Sequence, residues 1–392
     1  MKKHNNPFST EMLGQRNMIA IMETIQSHGP ITQPEILRKT GLSFSTVLRV
    51  TEKLIQSGLV VEAGLEASTG GRRSTLFKLN DEDKVVIGVD MGGTKIFGGL
   101  VGLPGNILLK IKVNVDKSSP QASLNQLYEM IDQLILKAKE LNVNPLGIGV
   151  GVPGVTDTEE GRILVSPSLK WVDLPLKTSL NDRFQTTVII ENDVNMMALG
   201  EYGYGIGRKM RNLILIAFGT GVGSGIIING SLYRGSTYSA GEIGHMVPGR
   251  SFLHKNYEFS YGALEVVSSG LGIAQRANEC LKAESDLHPQ KLTSKEVFDY
   301  ARKGESWALK LVDEVVDYMT IIVANAIVLL DPEAIIFSGG VFNSSDLLLE
   351  PIKERLKGLI PMHPKILLSE LGPQAVIMGA AHQVLSKVAG SQ

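Results

Sequence analysis

Val89-Asp90-Met91-Gly92-Gly93-Thr94-Lys95 lies between two apolar runs, and its reading decides the fold. On its N-terminal side Lys84-Val85-Val86-Ile87-Gly88-Val89 has the β-branched, apolar composition of a buried strand, entered from an acidic turn at 81–83. Beyond it 96–101 is apolar again, and Pro104-Gly105-Asn106 turns the chain into 107–113. The stretch therefore predicts a glycine turn at the tip of a strand hairpin. Two adjacent glycines remove Cβ atoms where backbone N–H groups could approach a phosphate, and Thr94 adds a hydroxyl donor. Asp90 is a carboxylate at the mouth of the turn, where a bare anion would repel phosphate; its sensible role is to hold a metal ion or metal-bound water. The same letters also suit an ordinary Gly-Gly hairpin, so the rest of the chain must decide.

With 392 residues the chain exceeds one ordinary core, and two or three domains are expected. Hydrophobic residues make up 43% and charged residues 20%, the balance of a soluble globular protein. The single cysteine, Cys280, excludes an internal disulfide and a multi-cysteine metal cluster. Residues 1–10 are polar, without the apolar segment of a signal peptide, and the apolar stretch 318–330 is too short to span a bilayer. A cytoplasmic protein without membrane partners is expected. Charge is uneven: residues 1–80 hold ten Lys and Arg against six Glu, while the remainder is net acidic, which hints at nucleic acid at the head.

In the head, 11–28 has amphipathic spacing and ends at Gly29-Pro30. Thr32-Gln33-Pro34-Glu35 has a capping-box pattern, and the short helix it opens runs through Lys39 to a stop at Gly41. A third helix follows Leu42-Ser43 to about Ser57, with Val47, Val50 and Leu54 facing inward and Ser45, Thr46, Arg49 and Lys53 outward. A short helix, a glycine turn and a polar-basic second helix describe a helix-turn-helix, whose second helix enters a major groove. Strands at 59–62 and 74–79 flank a loop, Ser68-Thr69-Gly70-Gly71-Arg72-Arg73, that reads as a wing with arginines suited to phosphate or the minor groove. The wing argues against a bare three-helix interaction module.

Behind the hairpin, 119–141 reads as a long amphipathic helix and Pro145 to Gly154 as a buried strand entering a turn. Strand 187–190 delivers Glu191-Asn192-Asp193-Val194-Asn195 ahead of a helix at 196–202, the favoured place for chemistry in an α/β sheet. Strand 213–218 leads into Gly219-Thr220-Gly221-Val222-Gly223-Ser224-Gly225, read as a second phosphate-sized loop before a strand at 226–228. Two such loops are much stronger evidence than one. Further on lie Gly241-Glu242-Ile243-Gly244-His245, Gly262-Ala263-Leu264-Glu265, and a third strand-to-glycine turn at Ser338-Gly339-Gly340-Val341.

In this order the motifs closely resemble those of the ROK family of sugar kinases and sugar-responsive repressors, within the actin-like ATPase superfamily, over essentially the whole chain. The resemblance implies an α/β fold: two actin-like, ribonuclease H-like lobes preceded by a winged helix-turn-helix. It divides the chain into a DNA-binding domain at 1–80, a first lobe at 84–200 and a second at 201–392, whose final helix is a candidate to return to the first lobe. It also implies that Asp193 is the general base toward a sugar hydroxyl, with Asn192, Glu242, His245 and Glu265 on the other hydroxyls. The glycine turns (Gly92, Gly93, Thr94, Lys95; Gly219, Thr220, Gly221, Gly223) would straddle ATP phosphates, with Asp90 near Mg²⁺ through water and Gly339-Gly340 beside the adenosine. Positioning and charge neutralisation of this kind suit phosphoryl transfer.

Two departures stand out. The family follows its histidine with a cysteine run that binds structural zinc; here the aligned stretch is Asn256-Tyr257-Glu258-Phe259-Ser260-Tyr261-Gly262-Ala263. No structural zinc is expected, because His245 with His254 or Glu258 is a poor tetrahedral set. Relatives also carry Asn where this chain has Ser168-Leu169-Lys170-Trp171. The expected function is a sugar-responsive transcriptional regulator, a homodimer or dimer of dimers on operator DNA. The alternative is an ATP-dependent sugar kinase with DNA binding secondary, since both phosphate turns are intact.

Overall fold

Local capping chemistry sets the head. Helices α1 (Thr10–His28), α2 (Gln33–Thr40) and α3 (Phe44–Gln56) alternate with β1 (Ile31–Thr32), β2 (Val60–Leu65) and β3 (Thr75–Leu79). Glu35 reaches back to accept from the Thr32 N–H and hydroxyl, each at 3.0 Å. Gly41 ends α2 at φ +68°, and Ser43 Oγ accepts from the Thr46 N–H at 3.3 Å to start α3. Met22, Ile25, Ile36, Val47, Val50 and Leu54 are buried, and the strands form one antiparallel sheet in the order β1-β3-β2. This is the expected winged helix-turn-helix. The computed structural model describes residues 10–67, 73–255, 257, 262–284 and 291–390, so the wing tip up to Arg72 lies outside the described residues.

Contacts divide the chain into two units: Met1–Asp193 with Val376–Gln392, and Val194–Ala375. The first contains β4 (Lys84–Met91), β5 (Lys95–Gly102), β6 (Ile107–Asn114), α4 (Pro120–Glu140), β7 (Asn144–Val152), a small sheet of β8 (Val155–Asp157), β9 (Arg162–Ser166) and β10 (Trp171–Leu174), then α5 (Leu176–Phe184) and β11 (Val188–Asn192). Its main sheet has the order β11-β7-β4-β5-β6. Helix α6 (Asp193–Gly203) begins where this unit's central segment ends.

The second unit contains β12 (Leu213–Phe218), β13 (Val222–Ile228), β14 (Ser231–Leu232), α7 (Glu265–Ser268), α8 (Gly270–Glu284), α9 (Ser294–Arg302), α10 (Ser306–Leu330), β15 (Ala334–Ser338), α11 (Ser345–Leu356) and β16 (Lys365–Leu368). Its sheet has the order β14-β13-β12-β15-β16. In each unit the first three strands form an antiparallel meander, and two later strands extend it in parallel from the first strand's free edge. The units thus repeat the ribonuclease H-like order, each with a glycine turn between its first and second strands. Helices fill the connections because parallel neighbours need long crossovers.

The last helix, α12 (Ala375–Gly390), packs on the first unit's sheet from Val376 onward. Its fit depends on small residues: a Cβ built on Gly149 of β7 would stand 2.7 Å from the Cβ of Ala380, and one on Gly88 of β4 2.6 Å from the Ile377 carbonyl. His382 of the same helix is buried and places Nε2 3.9 Å from Glu23 Oε1 of α1. Among the described residues no helix is long and apolar enough to cross a membrane.

Candidate functional site

In the first unit, register brings the polar motifs level. Asp90 of β4 and Glu191 of β11 both pair with Gly151 of β7, and Asn192 pairs with Val152. Three parallel strands therefore end side by side. Asp193 is the first residue of α6, directly after β11 ends at Asn192, so the helix expected from 196 begins three positions earlier. The Asn192 Nδ2 donates to the Gly154 carbonyl at 3.0 Å, and its backbone N–H donates to Glu191 Oε1 at 2.9 Å, so both links fix the motif's orientation.

Burial pushes the Asp90 carboxyl up to about 7, the nearby Asp193 carboxylate adds to that rise, and Lys112 opposes it. Lys112 was not anticipated. It lies opposite Phe97, which in turn lies opposite Asp90, so the three share one face of the sheet. The alternating lysines of β6 were the available signal, but only the hairpin register assigns them a face.

The Gly92 N–H donates to the Lys95 carbonyl at 3.0 Å and closes the first turn. Its amide is therefore spent on the turn. Thr94 and Lys95 are exposed, and Gly93 lies against Ser168, toward whose Cβ an added Cβ would come within 2.9 Å. Trp171 anchors that neighbouring loop by donating Nε1–H to Ser123 Oγ and the Pro120 carbonyl, both at 3.1 Å.

In the second unit the glycine stretch differs from its expected form. Only Gly219, Thr220 and Gly221 lie between the strands, because β13 starts at Val222, and the Gly219 N–H closes the turn on the Gly221 carbonyl at 2.9 Å. Gly223, expected in a phosphate loop, is instead in β13 opposite Ala217. A Cβ there would approach Val194, and one at Gly225 would press on Ala198, so these alternate glycines admit α6 to the strand face. The neighbouring parallel strand ends at the same level: Ala217 pairs with Ser338, and Gly339, at φ +90°, packs against Phe218. Gly219–Gly221 and Gly339–Gly340 are thereby brought together.

Glu242, His245 and Glu265 also converge. Gly241, at φ +93°, lies on the Ser224 carbonyl too tightly for any side chain and presses the Glu242–His245 segment onto β13. Glu265 begins α7 with its carboxylate against Gly221 and takes an N–H from Gly262 at 3.4 Å. Burial raises the Glu265 carboxyl, whereas the Gly262 N–H and His245 lower it and Glu242 raises it further. Tyr257 packs on this unit's core, while Asn256 and 258–261 lie outside the described residues. Among the described residues no three His, Cys, Asp or Glu side chains group as metal ligands.

On the head, Ser45, Arg49 and Arg73 are exposed and Lys53 is half-buried. The hydroxyls of Ser45 and Thr46 lie 3.1 and 2.8 Å from Ser43 Oγ and are knit into the helix cap. Arg72 lies outside the described residues. If the wing contacts phosphate, changing Arg72 and Arg73 together to alanine should weaken duplex binding across sequences and reduce the log–log salt slope by about 1.8, at roughly 0.9 per lost contact. Unchanged affinity in titrations at several salt concentrations would remove the wing from the interface.

The sequence profile of the ROK family matches residues 86–387, and a winged helix-turn-helix DNA-binding profile matches 15–61. The xylose repressor of Caldicellulosiruptor bescii is 30% identical over 395 residues, covering 96% of both chains. The glucokinase of Halalkalibacterium halodurans is 34% identical over 284 residues, covering 70% of this chain and 86% of its own. Among solved structures, a ROK family transcriptional regulator, a homologue of E. coli MLC protein, superposes with a TM-score of 0.82 at 21% identity, covering 97% of this chain and 98% of its own. A Streptomyces griseus ROK family glucokinase in complex with glucose and AMPPNP gives 0.64 at 29% identity, covering 76% and 98%.

Proposed function

The chain belongs to the ROK family, and from that premise we propose that it is a sugar-responsive transcriptional repressor of carbohydrate genes, with a winged head for operator DNA and a body that binds the sugar. The observation that carries this reading is similarity at 96% coverage to a repressor, head included. Asn192, Asp193, Glu242, His245 and Glu265 carry carboxylate, amide and imidazole groups suited to polyol hydroxyls. A sensor needs only that the sugar favour one conformation of the chain over another. A homodimer would match a palindromic operator. The test is operator binding with and without each of a panel of sugars.

A second reading, ATP-dependent phosphorylation of the sugar, rests on both glycine turns and on Asp90 beside Asp193. Asp193 would take the proton of the attacking hydroxyl while Gly93, Thr94, Thr220 and Gly221 hold phosphate oxygens. The half-buried, mutually repelling carboxylates fit Mg²⁺, which takes few protein ligands and retains waters. Asp90 would hold it through water, and it would supply charge neutralisation at the transferred phosphoryl group. Gly339 and Gly340 would lie beside the adenosine. A coupled ATP-consumption assay over the same sugars decides this reading.

The body should hold no structural zinc, since the family's thiolates are absent from 256–263. Elemental analysis should find less than stoichiometric zinc, and a chelator should leave the melting temperature unchanged. One tightly held zinc per chain would contradict this and point to another ligand set around His245.

A further inference from the structure

The outward face of α3 carries an apolar edge that the polar reading of this helix leaves out. Phe44 is 58% and Leu48 36% exposed, and among the described residues no other phenylalanine is exposed. At about 100° per residue, Phe44, Leu48 and half-buried Ile55 fall within roughly 40° of one another, while Ser45 and Arg49 lie at about 100° and 140°. The buried side, Val47, Val50, Thr51 and Leu54, spans about 240–340°, so it adjoins the apolar edge and faces away from the polar-basic one. The exposed arc is thus divided into an apolar edge and a polar-basic edge.

The hydroxyls on this first turn are poor candidates for independent base readers. Ser43 Oγ accepts the Thr46 N–H and lies within 3.1 Å of the Ser45 and Thr46 hydroxyls, so all three serve the cap. What projects freely from the start of the helix is a phenyl ring, a leucine and the Arg49 guanidinium. In a duplex major groove the apolar group among the base edges is the C5-methyl of thymine. Phe44 and Leu48 are one turn apart, about 6 Å along the helix axis, which is close to two base steps. Charge selects DNA as the occupant, because the same helix carries Arg49 on its exposed polar-basic edge and Lys53 beyond it, and the same head carries the exposed Arg73.

We propose that Phe44 and Leu48 read thymine methyl groups, so that each operator half-site carries two thymines one or two base steps apart, with Arg49 contacting the flanking base or phosphate. This rests on the DNA-binding reading of the head and adds the base class it recognises.

The test uses the full chain and a random-sequence duplex pool, from which bound duplexes are selected and sequenced. Each enriched thymine is then replaced singly by deoxyuridine, which removes the methyl and keeps the base pair. The expected result is two positions per half-site where the replacement weakens binding roughly 3–5-fold, the worth of about one buried methyl. Phe44→Ala should abolish the discrimination at one of these positions, with the melting temperature unchanged because the ring is mostly exposed, and Leu48→Ala at the other, with a slightly lowered melting temperature because that side chain is only 36% exposed. Phe44→Leu, which stays apolar, should retain part of it. Equal binding of every deoxyuridine duplex, or a Phe44→Ala chain that still discriminates, would overturn the proposal while leaving DNA binding intact. A Phe44→Ala chain that changes oligomeric state without changing site preference would make the edge a protein contact and overturn it as well. Failure to enrich any sequence would overturn the DNA-binding reading itself, and the proposal with it.

Discussion

Asp193→Asn should lower any ATP-dependent phosphorylation of the sugar by roughly 10²–10⁴-fold, the usual cost of losing a general base. The amide cannot accept the hydroxyl proton. It is nearly isosteric and retains a carbonyl acceptor, so sugar binding should weaken by only about 1–2 kcal/mol if the lost contact was charge-assisted. The first position of α6, directly after the Asn192 that is tied to Gly154, holds the side chain in place in either form. Operator binding should therefore still respond to sugar, at a somewhat higher concentration. If the variant binds sugar normally and leaves DNA affinity flat, the signal is the phosphorylated product, and direct sensing by the bound sugar is wrong.

Glu23→Gln should stabilise the protein at neutral and alkaline pH, with the gain vanishing in acid. Burial pushes the Glu23 carboxyl from 4.5 up to about 7. Below 4.5 it is protonated in both folded and unfolded chains and costs nothing. Between 4.5 and 7 the unfolded chain releases the proton while the folded chain keeps it, so the native state loses stability as pH rises. Above 7 the loss is complete at about 3 kcal/mol, taking 1.36 kcal/mol per pKa unit. Its neighbour His382 acts in the opposite sense: burial holds it down at about 4, so it penalises the folded state as pH falls below 6.5. The Gln variant removes only the first effect. Thermal midpoints of the two proteins should coincide near pH 4 and separate progressively to pH 8. A gap of constant size across that range would assign the effect to packing instead.

Local chemistry made much of the fold legible. Thr32 with Glu35, Gly41 and Ser43 announced the ends of α2 and α3, and Ser119 likewise caps α4 by accepting from the Ala122 N–H at 3.0 Å. The strands leading to Asp90, Asn192 and Gly219 were readable as apolar runs ending in polar or glycine residues. What the sequence hid depends on distant partners. Gly223 and Gly225 look like a loop until α6 is packed on them, and alternate strand glycines have no local signature that separates the two cases. The first unit accepts α12 because Gly88 and Gly149 face Ile377 and Ala380, a complementarity between segments more than 200 residues apart. Lys112 beside Asp90, and Glu23 beside His382, likewise follow from register and packing alone.

If the body senses sugar, sugar binding should change the head's affinity for DNA. The most direct measurement titrates the full chain onto its selected duplex at fixed salt, without ATP, against increasing concentrations of each sugar in a panel of aldoses and N-acetylhexosamines. At least one sugar should shift the duplex Kd by about 5–150-fold, the usual range of coupling between two sites, with saturation and without nucleotide. A duplex affinity that no sugar changes, or that changes only when ATP is present, would contradict direct sensing by the bound sugar.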